Sequence, residues 1–262
     1  MRAVPELVEV ESYRRLAERA LRRPIASVEA ADDWYLKNGT TAAALSAALV
    51  GEEFAAARRV GKLLLLDAPD VSLGLRFGMS GRLMVDGAVS IDELIYSSSR
   101  PDPAFERFGL TFADGATLVM IDPRRLGGVE LDPDESRLGP DAASVGTARL
   151  RDALAGSRAA LKARLMDQRR LAGIGNLTAD ELLWRTSLSP KREAGSLTPS
   201  EVRRLQRHLR TVLAELDELG GSHTGTLMEH RRPGGVCPRD GTPLRRDIVG
   251  GRTTWWCPHH QR

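Results

Sequence analysis

Among the residues whose types could do chemistry, Pro5 and Glu6 come first. A proline with a free nitrogen is a secondary amine that can attack a carbon centre and form an iminium, and an adjacent carboxylate can move the accompanying proton. In the chain as written Met1-Arg2-Ala3-Val4 precede it, so that nitrogen is an amide. Valine is also what an alternative GTG start codon looks like in a frame read from too far upstream. Initiation at Val4, followed by removal of the initiator methionine, would leave Pro5 as the first residue. The expectation is a reactive form that begins at Pro5; the alternative is a real extended N-terminus. The same pair also fits an ordinary helix start, where the missing proline N–H costs nothing.

The second constellation is the tail, Cys237-Pro238-Arg239-Asp240 and then Cys257-Pro258-His259-His260. Two knuckles of paired ligand types separated by a hairpin-length segment fit a zinc ribbon with Cys237, Asp240, Cys257 and His260 as ligands. A ribbon that holds itself by packing is the alternative. Third is Gly173-Ile174-Gly175-Asn176 before a helical run. It reads either as a backbone anion cradle with an added side-chain donor or as a tight turn. Phe77-Gly78-Met79-Ser80-Gly81 presents a methionine between glycines, a base-stack wedge if exposed and core filler if buried. Asp122-Pro123-Arg124-Arg125-Leu126-Gly127 is a turn with two guanidiniums, and Gly61-Lys62 places a lysine at the head of an apolar strand. Taken singly, these two read as a solvated turn and a strand-end charge.

The elements that must position these groups follow from periodicity. Residues 6–22 read as an amphipathic helix with Leu7, Val10, Tyr13, Ala17, Ala20 and Leu21 on one face. Strand-like segments are expected at 60–67, 71–77, 82–85, 108–112, 117–121 and 129–131, divided by turn residues such as Asp86-Gly87 and Asp114-Gly115. Short strands at this spacing predict a sandwich or barrel. Beyond Gly139-Pro140 the pattern is helical. Thr198-Pro199-Ser200-Glu201 opens a helix and Gly220-Gly221 closes it. The expected fold class is α+β: an N-terminal β-sandwich with flanking helices (1–131), a central helical domain (132–225) and a C-terminal ribbon-type β-hairpin (226–262).

Composition narrows the partners. The chain has 262 residues and net charge +3, and only four of its 38 basic side chains are lysine. That arginine bias suits phosphate recognition and mildly favours a nucleic-acid partner. The two cysteines and the lack of an apolar run of about 20 residues predict a reducing cytoplasmic setting without a membrane.

In order along the chain, these motifs resemble the Fpg/Nei family of DNA glycosylases. Pro5-Glu6-Leu7-Val8-Glu9-Val10-Glu11 is similar to its PELPEVE start, Gly61-Lys62 to its strand lysine and Gly78-Met79-Ser80-Gly81 to its intercalation loop. Asp122 to Gly127 resembles DPRRFG. Leu161-Lys162, Leu165 to Gln168 and Gly173 to Asn176 resemble its helix–two-turns–helix module, and Gly251-Arg252-Thr253-Thr254 with the two knuckles its zinc finger. The resemblance implies a base-excision enzyme with AP lyase activity, acting on damaged double-stranded DNA as a nucleoid-associated monomer. It implies structural zinc and no redox or nucleotide cofactor. It casts Pro5 as nucleophile, with Glu6, Lys62 and Arg252 completing the catalytic set. Met79, Arg107, Arg124 and Leu126 would contact DNA where the lesion is everted, and Lys162, Asn176 and Arg252 would hold backbone phosphates.

Several positions depart from the family pattern. Val8 stands for a proline and Leu126 for a phenylalanine. Arg76-Phe77 replaces His-Leu, and Thr178 replaces an aromatic. The connection between Gly221 and Cys237 is short where family members that excise 8-oxoguanine carry a long capping loop. This favours oxidised pyrimidines or bulky adducts. With an acylated Pro5 the expectation changes to a monofunctional glycosylase with Glu6 activating water, or to a catalytically silent damaged-DNA binder. An RNA- or ribosome-associated module, which also uses helical turns and zinc ribbons, would not need the PELxEVE and DPRR segments.

Overall fold

A computed structural model describes residues 5–91 and 102–262; Val4 and the residues before it lie outside the described part. The chain forms two compact units, one ending at Glu135 and the other running from Ser136 to Arg262.

The first unit holds helices α1 (Leu7–Ala17) and α2 (Ala42–Leu49). Its strands are β1 (Ile25–Glu29), β2 (Ala56–Val60), β3 (Leu63–Asp67), β4 (Ser72–Arg76), β5 (Arg82–Val85), β6 (Ala88–Val89), β7 (Glu106–Phe112), β8 (Thr117–Ile121) and β9 (Gly128–Leu131). The strands make two antiparallel sheets, ordered β1-β7-β8-β5-β6 and β2-β3-β4-β9. Phe108, Leu110 and Phe112 of one sheet and Leu64, Leu66, Leu73 and Leu75 of the other share one buried cluster with Val10, Tyr13, Leu16 and Ala17 of α1. Alternation at period two is what brings each set to a single face.

The helix expected over 6–22 ends as an α-helix at Ala17, and one 3-10 turn carries it to Ala20. The strand expected over 60–67 begins only at Leu63, as β3, because Gly61 takes a positive φ of 59° and makes a two-residue hairpin turn with Lys62 that connects back to β2. β1, β2, β6 and α2 had no expectation in the sequence.

The second unit contains α3 (Thr147–Leu154), α4 (Leu161–Leu165), α5 (Asn176–Arg185), α6 (Pro199–Glu218) and the antiparallel hairpin β10 (Arg245–Val249) and β11 (Arg252–Trp256). Thr198 and Glu201 form the expected capping box at the start of α6. At its end Gly220 adopts φ +93°; its N–H donates to Asp217 O and that of Gly221 to Leu216 O. This is the Schellman pattern. The face Val202, Leu205, Leu209, Val212, Leu213 and Leu216 is buried, whereas Leu219 is exposed. No helix of the described residues is long and apolar enough to cross a membrane.

Candidate active site and nucleic-acid interface

In the first unit four separate segments meet at one pocket of about 220 Å³, lined by Pro5, Val10, Lys62, Arg76, Phe77, Gly78 and Leu126. Pro5 enters it just ahead of α1, followed in the chain by Glu6. Glu6 is the N-cap residue. Its side chain accepts from the Glu9 N–H, while Glu9 accepts from the Glu6 N–H at 2.9 Å. The cap fixes a buried carboxylate beside the proline, and the helix dipole favours its charge.

Lys62 arrives on the β2–β3 turn. That turn is tied to α1 by Arg59, which donates to Glu11 Oε2 and to the Gly61 carbonyl, both at 2.9 Å. Arg14 and Arg59 together hold the Glu11 carboxyl below its ordinary range against the opposing effect of burial, which is the largest single influence. Arg76 reaches Glu130 at 2.6 Å, and Glu130, itself buried, also accepts from Asn38. Sequence reasoning treated Arg76 only as a departure, yet it lines the same pocket as Pro5 and Lys62.

Met79 and Leu126 are both exposed at the tips of two loops, 36% and 49% respectively. The loops are in backbone contact: a Cβ on Gly78, which has φ +56°, would lie 2.5 Å from the Leu126 carbonyl carbon. Fully buried Asp122 joins them. Its Oδ1 accepts from the Ser80 hydroxyl and the Arg124 N–H, and its Oδ2 accepts from the Gly127 N–H at 2.8 Å. Arg124 is left exposed beside Leu126. Arg107, expected to touch DNA, instead donates to the Asp122 carbonyl at 2.9 Å and stacks 5.9 Å from the Phe105 ring. It braces the loop that presents Arg124.

In the second unit, Gln168 shapes the turn before α5, accepting from the Gly173 N–H and donating to Ile174 O. Asn176 is the first residue of α5 and is half-buried. Arg252 is exposed at the tip of the β10–β11 hairpin, next to Gly250 and Gly251, which have φ of 58° and 71°. Lys162 does not fit its expected role. Its ammonium is fully buried, 2.7 Å from Asp180 Oδ1 and from Thr254 Oγ1, and 3.2 Å from Thr253 O. It joins α4 to α5 and β11 rather than facing a phosphate.

The tail residues converge. Ligand atoms of Cys237, Asp240, Cys257 and His260 all lie within 4.8 Å of one another. Individual separations include 3.6 Å for Cys237 Sγ to His260 Nδ1, 3.4 Å for Cys257 Sγ to Asp240 Oδ2 and 3.0 Å for His260 Nδ1 to Asp240 Oδ2. Tetrahedral zinc with bonds of about 2.0–2.3 Å separates its ligand atoms by about 3.3–3.8 Å, so the donor set has the right size. The outer contacts fit as well. His260 Nε2 lies 3.3 Å from the Trp184 carbonyl, and the Trp184 indole N–H points at Cys237 Sγ from 3.4 Å.

With this geometry, the similarity to known proteins is informative. Residues 4–129 match the model of the formamidopyrimidine-DNA glycosylase N-terminal domain, and residues 138–227 that of the formamidopyrimidine-DNA glycosylase H2TH domain. The chain belongs to the Fpg/Nei family of DNA glycosylases. It is 34% identical to the formamidopyrimidine-DNA glycosylase of Paracoccus denitrificans, over 97% of this chain and 99% of that one. It is 36% identical to that of Thermus thermophilus, over 97% of each. Among solved structures, the complex of Lactococcus lactis Fpg with DNA containing an abasic site aligns with a TM-score of 0.82 and 26% identity, over 98% of this chain and 99% of that one. Its complex with Fapy-dG DNA aligns equally well.

The family frame separates two kinds of residue. Pro5, Lys62 and Leu126 line the pocket, Met79 and Arg124 lie on its two loops, and Glu6 is the buried helix cap next to Pro5. Asp122, Arg107, Glu130 and Arg59 hold those residues in place, and their roles had no sequence signal beyond membership of a motif.

Proposed function

We propose that the protein is a bifunctional base-excision glycosylase and AP lyase for damaged double-stranded DNA, with Pro5 as its nucleophile once it is the first residue. The observation that carries this reading is the pocket in which Pro5, Lys62 and Leu126 meet next to the Met79 loop. Everting a lesion costs a few kcal/mol in lost stacking. Met79 and Leu126, with Arg124, have the exposure and apolar or planar character to fill the gap. The Pro5 nitrogen then forms a bond to the sugar C1′ as the bond to the damaged base breaks, and the base leaves with the electron pair and a proton. Glu6 moves protons at the sugar. The nitrogen loses its own proton, and its lone pair then forms a cationic iminium as the C1′–O4′ bond breaks and Glu6 delivers a proton to the departing ring oxygen; the iminium acidifies the neighbouring C2′–H. Loss of that proton expels the 3′ phosphate and nicks the strand, and water releases the enzyme. Lys62 orients a phosphate, and Asn176 and Arg252 hold others by charge-assisted bonds.

Borohydride trapping on an abasic duplex tests this. A chain beginning at Pro5 should form a covalent adduct and the chain as written should form none. Absence of an adduct from the Pro5-first chain would overturn the lyase reading.

The four tail ligands support structural zinc, which would supply the closure between the two knuckles that a small hairpin cannot obtain from packing alone. The connection between Ser222 and Val236 is folded into its own unit, since the Leu227 N–H donates to Glu181 Oε2 at 2.8 Å. The shortness of the connection between Gly221 and Cys237 supports an open lesion pocket suited to oxidised pyrimidines or bulky adducts. Faster excision of 8-oxoguanine than of thymine glycol would overturn that preference.

A further inference from the structure

The second unit carries a groove of about 510 Å³ that the catalytic reading does not use. It is lined by Arg149 of α3, by Arg169 and Arg170 on the turn after α4, and by Gly139, Pro140 and Asp152. All three guanidiniums are exposed, and among the described residues none of them makes an ion pair or hydrogen bond through its side chain. The one carboxylate in the groove, Asp152, lies 3.2 Å from Arg151. The walls are fixed. Asp167 Oδ1 accepts from the Arg169 N–H at 3.0 Å, and the Gly139 N–H donates to Gln168 O at 2.9 Å. Gly139 lies so close to Arg170 that a Cβ would be 2.4 Å from its carbonyl carbon. The Arg164 guanidinium ties α4 to the Ala153 carbonyl at 2.7 Å.

Three arginines without a side-chain partner among the described residues form an anion site on a rigid groove, because planar forks match phosphate oxygens. The groove also shares its turn with the segment that presents Asn176. Gln168, which bonds Gly139 through its main chain, bonds Gly173 and Ile174 through its side chain. We propose that the groove lined by Arg149, Arg169 and Arg170 grips backbone phosphates of the DNA duplex beyond those held at the lesion. The proposal rests on the glycosylase reading above. It adds a non-sequence-specific handle to the helix–two-turns–helix module, one that contributes to affinity and to its salt dependence without touching a base.

The test is anisotropy binding of the full chain to a duplex containing a tetrahydrofuran abasic analogue, titrated with KCl, on duplexes lengthened stepwise. Each phosphate released should change the slope of log K against log salt by about 0.9. Replacing Arg149, Arg169 and Arg170 with Gln should make the slope shallower by about 1–2 units, and should abolish the affinity gained on lengthening the duplex. Arg151→Gln, which removes one charge from the same helix as Arg149 but outside the groove, should leave both unchanged. An unaltered slope in the triple variant, or the same loss in Arg151→Gln, would overturn the proposal. Failure of the unmodified chain to bind the lesion duplex would instead overturn the glycosylase reading, and this inference with it.

Discussion

The hydroxyl of Ser80 donates to Oδ1 of fully buried Asp122, and this one bond links the turn that carries Met79 to the turn that carries Arg124 and Leu126. Two wedges that act on one base step must keep a fixed spacing, and a buried hydrogen bond to a carboxylate supplies that at about 1.5–3 kcal/mol. Ser80→Ala removes the link but leaves Asp122 its bonds to the Arg124 and Gly127 amides. Excision from duplex DNA should fall about three- to tenfold relative to lyase action on a single-stranded abasic oligonucleotide, where nothing has to be wedged apart. An equal fall on both substrates would show that Ser80 acts only through stability.

Lys162 is predicted to matter for folding rather than for DNA. Its ammonium and the Asp180 carboxylate are buried together, and burial raises the Asp180 pKa despite Lys162 and Arg231 nearby. Removing one partner of such a pair leaves an under-compensated charge. Lys162→Met should therefore cost about 3 kcal/mol in urea unfolding. The salt slope of DNA binding by the folded fraction should not change. A slope shallower by about one unit at unchanged stability would restore the phosphate contact expected from sequence.

These two cases mark what was legible in the sequence and what was not. Local signals were reliable: the Thr198–Glu201 box and the Gly220-Gly221 stop bound α6, and short apolar segments set off by turn residues located β5 and β8 to the residue. The hairpin at Gly61-Lys62 was hidden because the turn directly abuts the apolar run 63–66, while β2 before it, Ala56–Val60, carries two arginines and no apolar run of its own. Lys162 was misplaced because its burial depends on Asp180 and on Thr254, which is 92 residues away along the chain. The pocket residues Pro5, Lys62 and Leu126 were legible as motif members, but the residues that aim them were not. Glu11, Arg59 and Glu130 act through partners on other strands and helices.

Acid should weaken the start of α6 through Glu201. Its carboxyl is held at about 2, first by Arg192 and then by the Thr198 amide and hydroxyl, against some loss of solvation. A depressed carboxylate pKa contributes stability that is present above the unfolded value of about 4.3 and is lost as pH falls through the folded one. With 18% of the side chain exposed, screening reduces the contribution to about 1–2 kcal/mol. Glu201→Gln should melt below the parent at neutral pH, and the gap should close between about pH 5 and pH 2. A gap independent of pH would assign the loss to packing.

The tail gives the last prediction. Cys237 and Cys257 are buried against Leu177, Trp184, Leu227 and Met228, a cluster too small to hold a hairpin by hydrophobic burial alone. The exposed Arg252 at the tip of that hairpin is positioned only as well as the knuckles are closed. The purified chain should contain about one zinc per molecule, and Cys257→Ser should contain none. Chelation should lower the melting temperature and weaken abasic-duplex binding together, and added zinc should restore both. A metal-free chain that melts and binds as the untreated one does would show that the four ligands close the hairpin through their own contacts, chiefly those of Asp240 with His260 and the Thr242 amide.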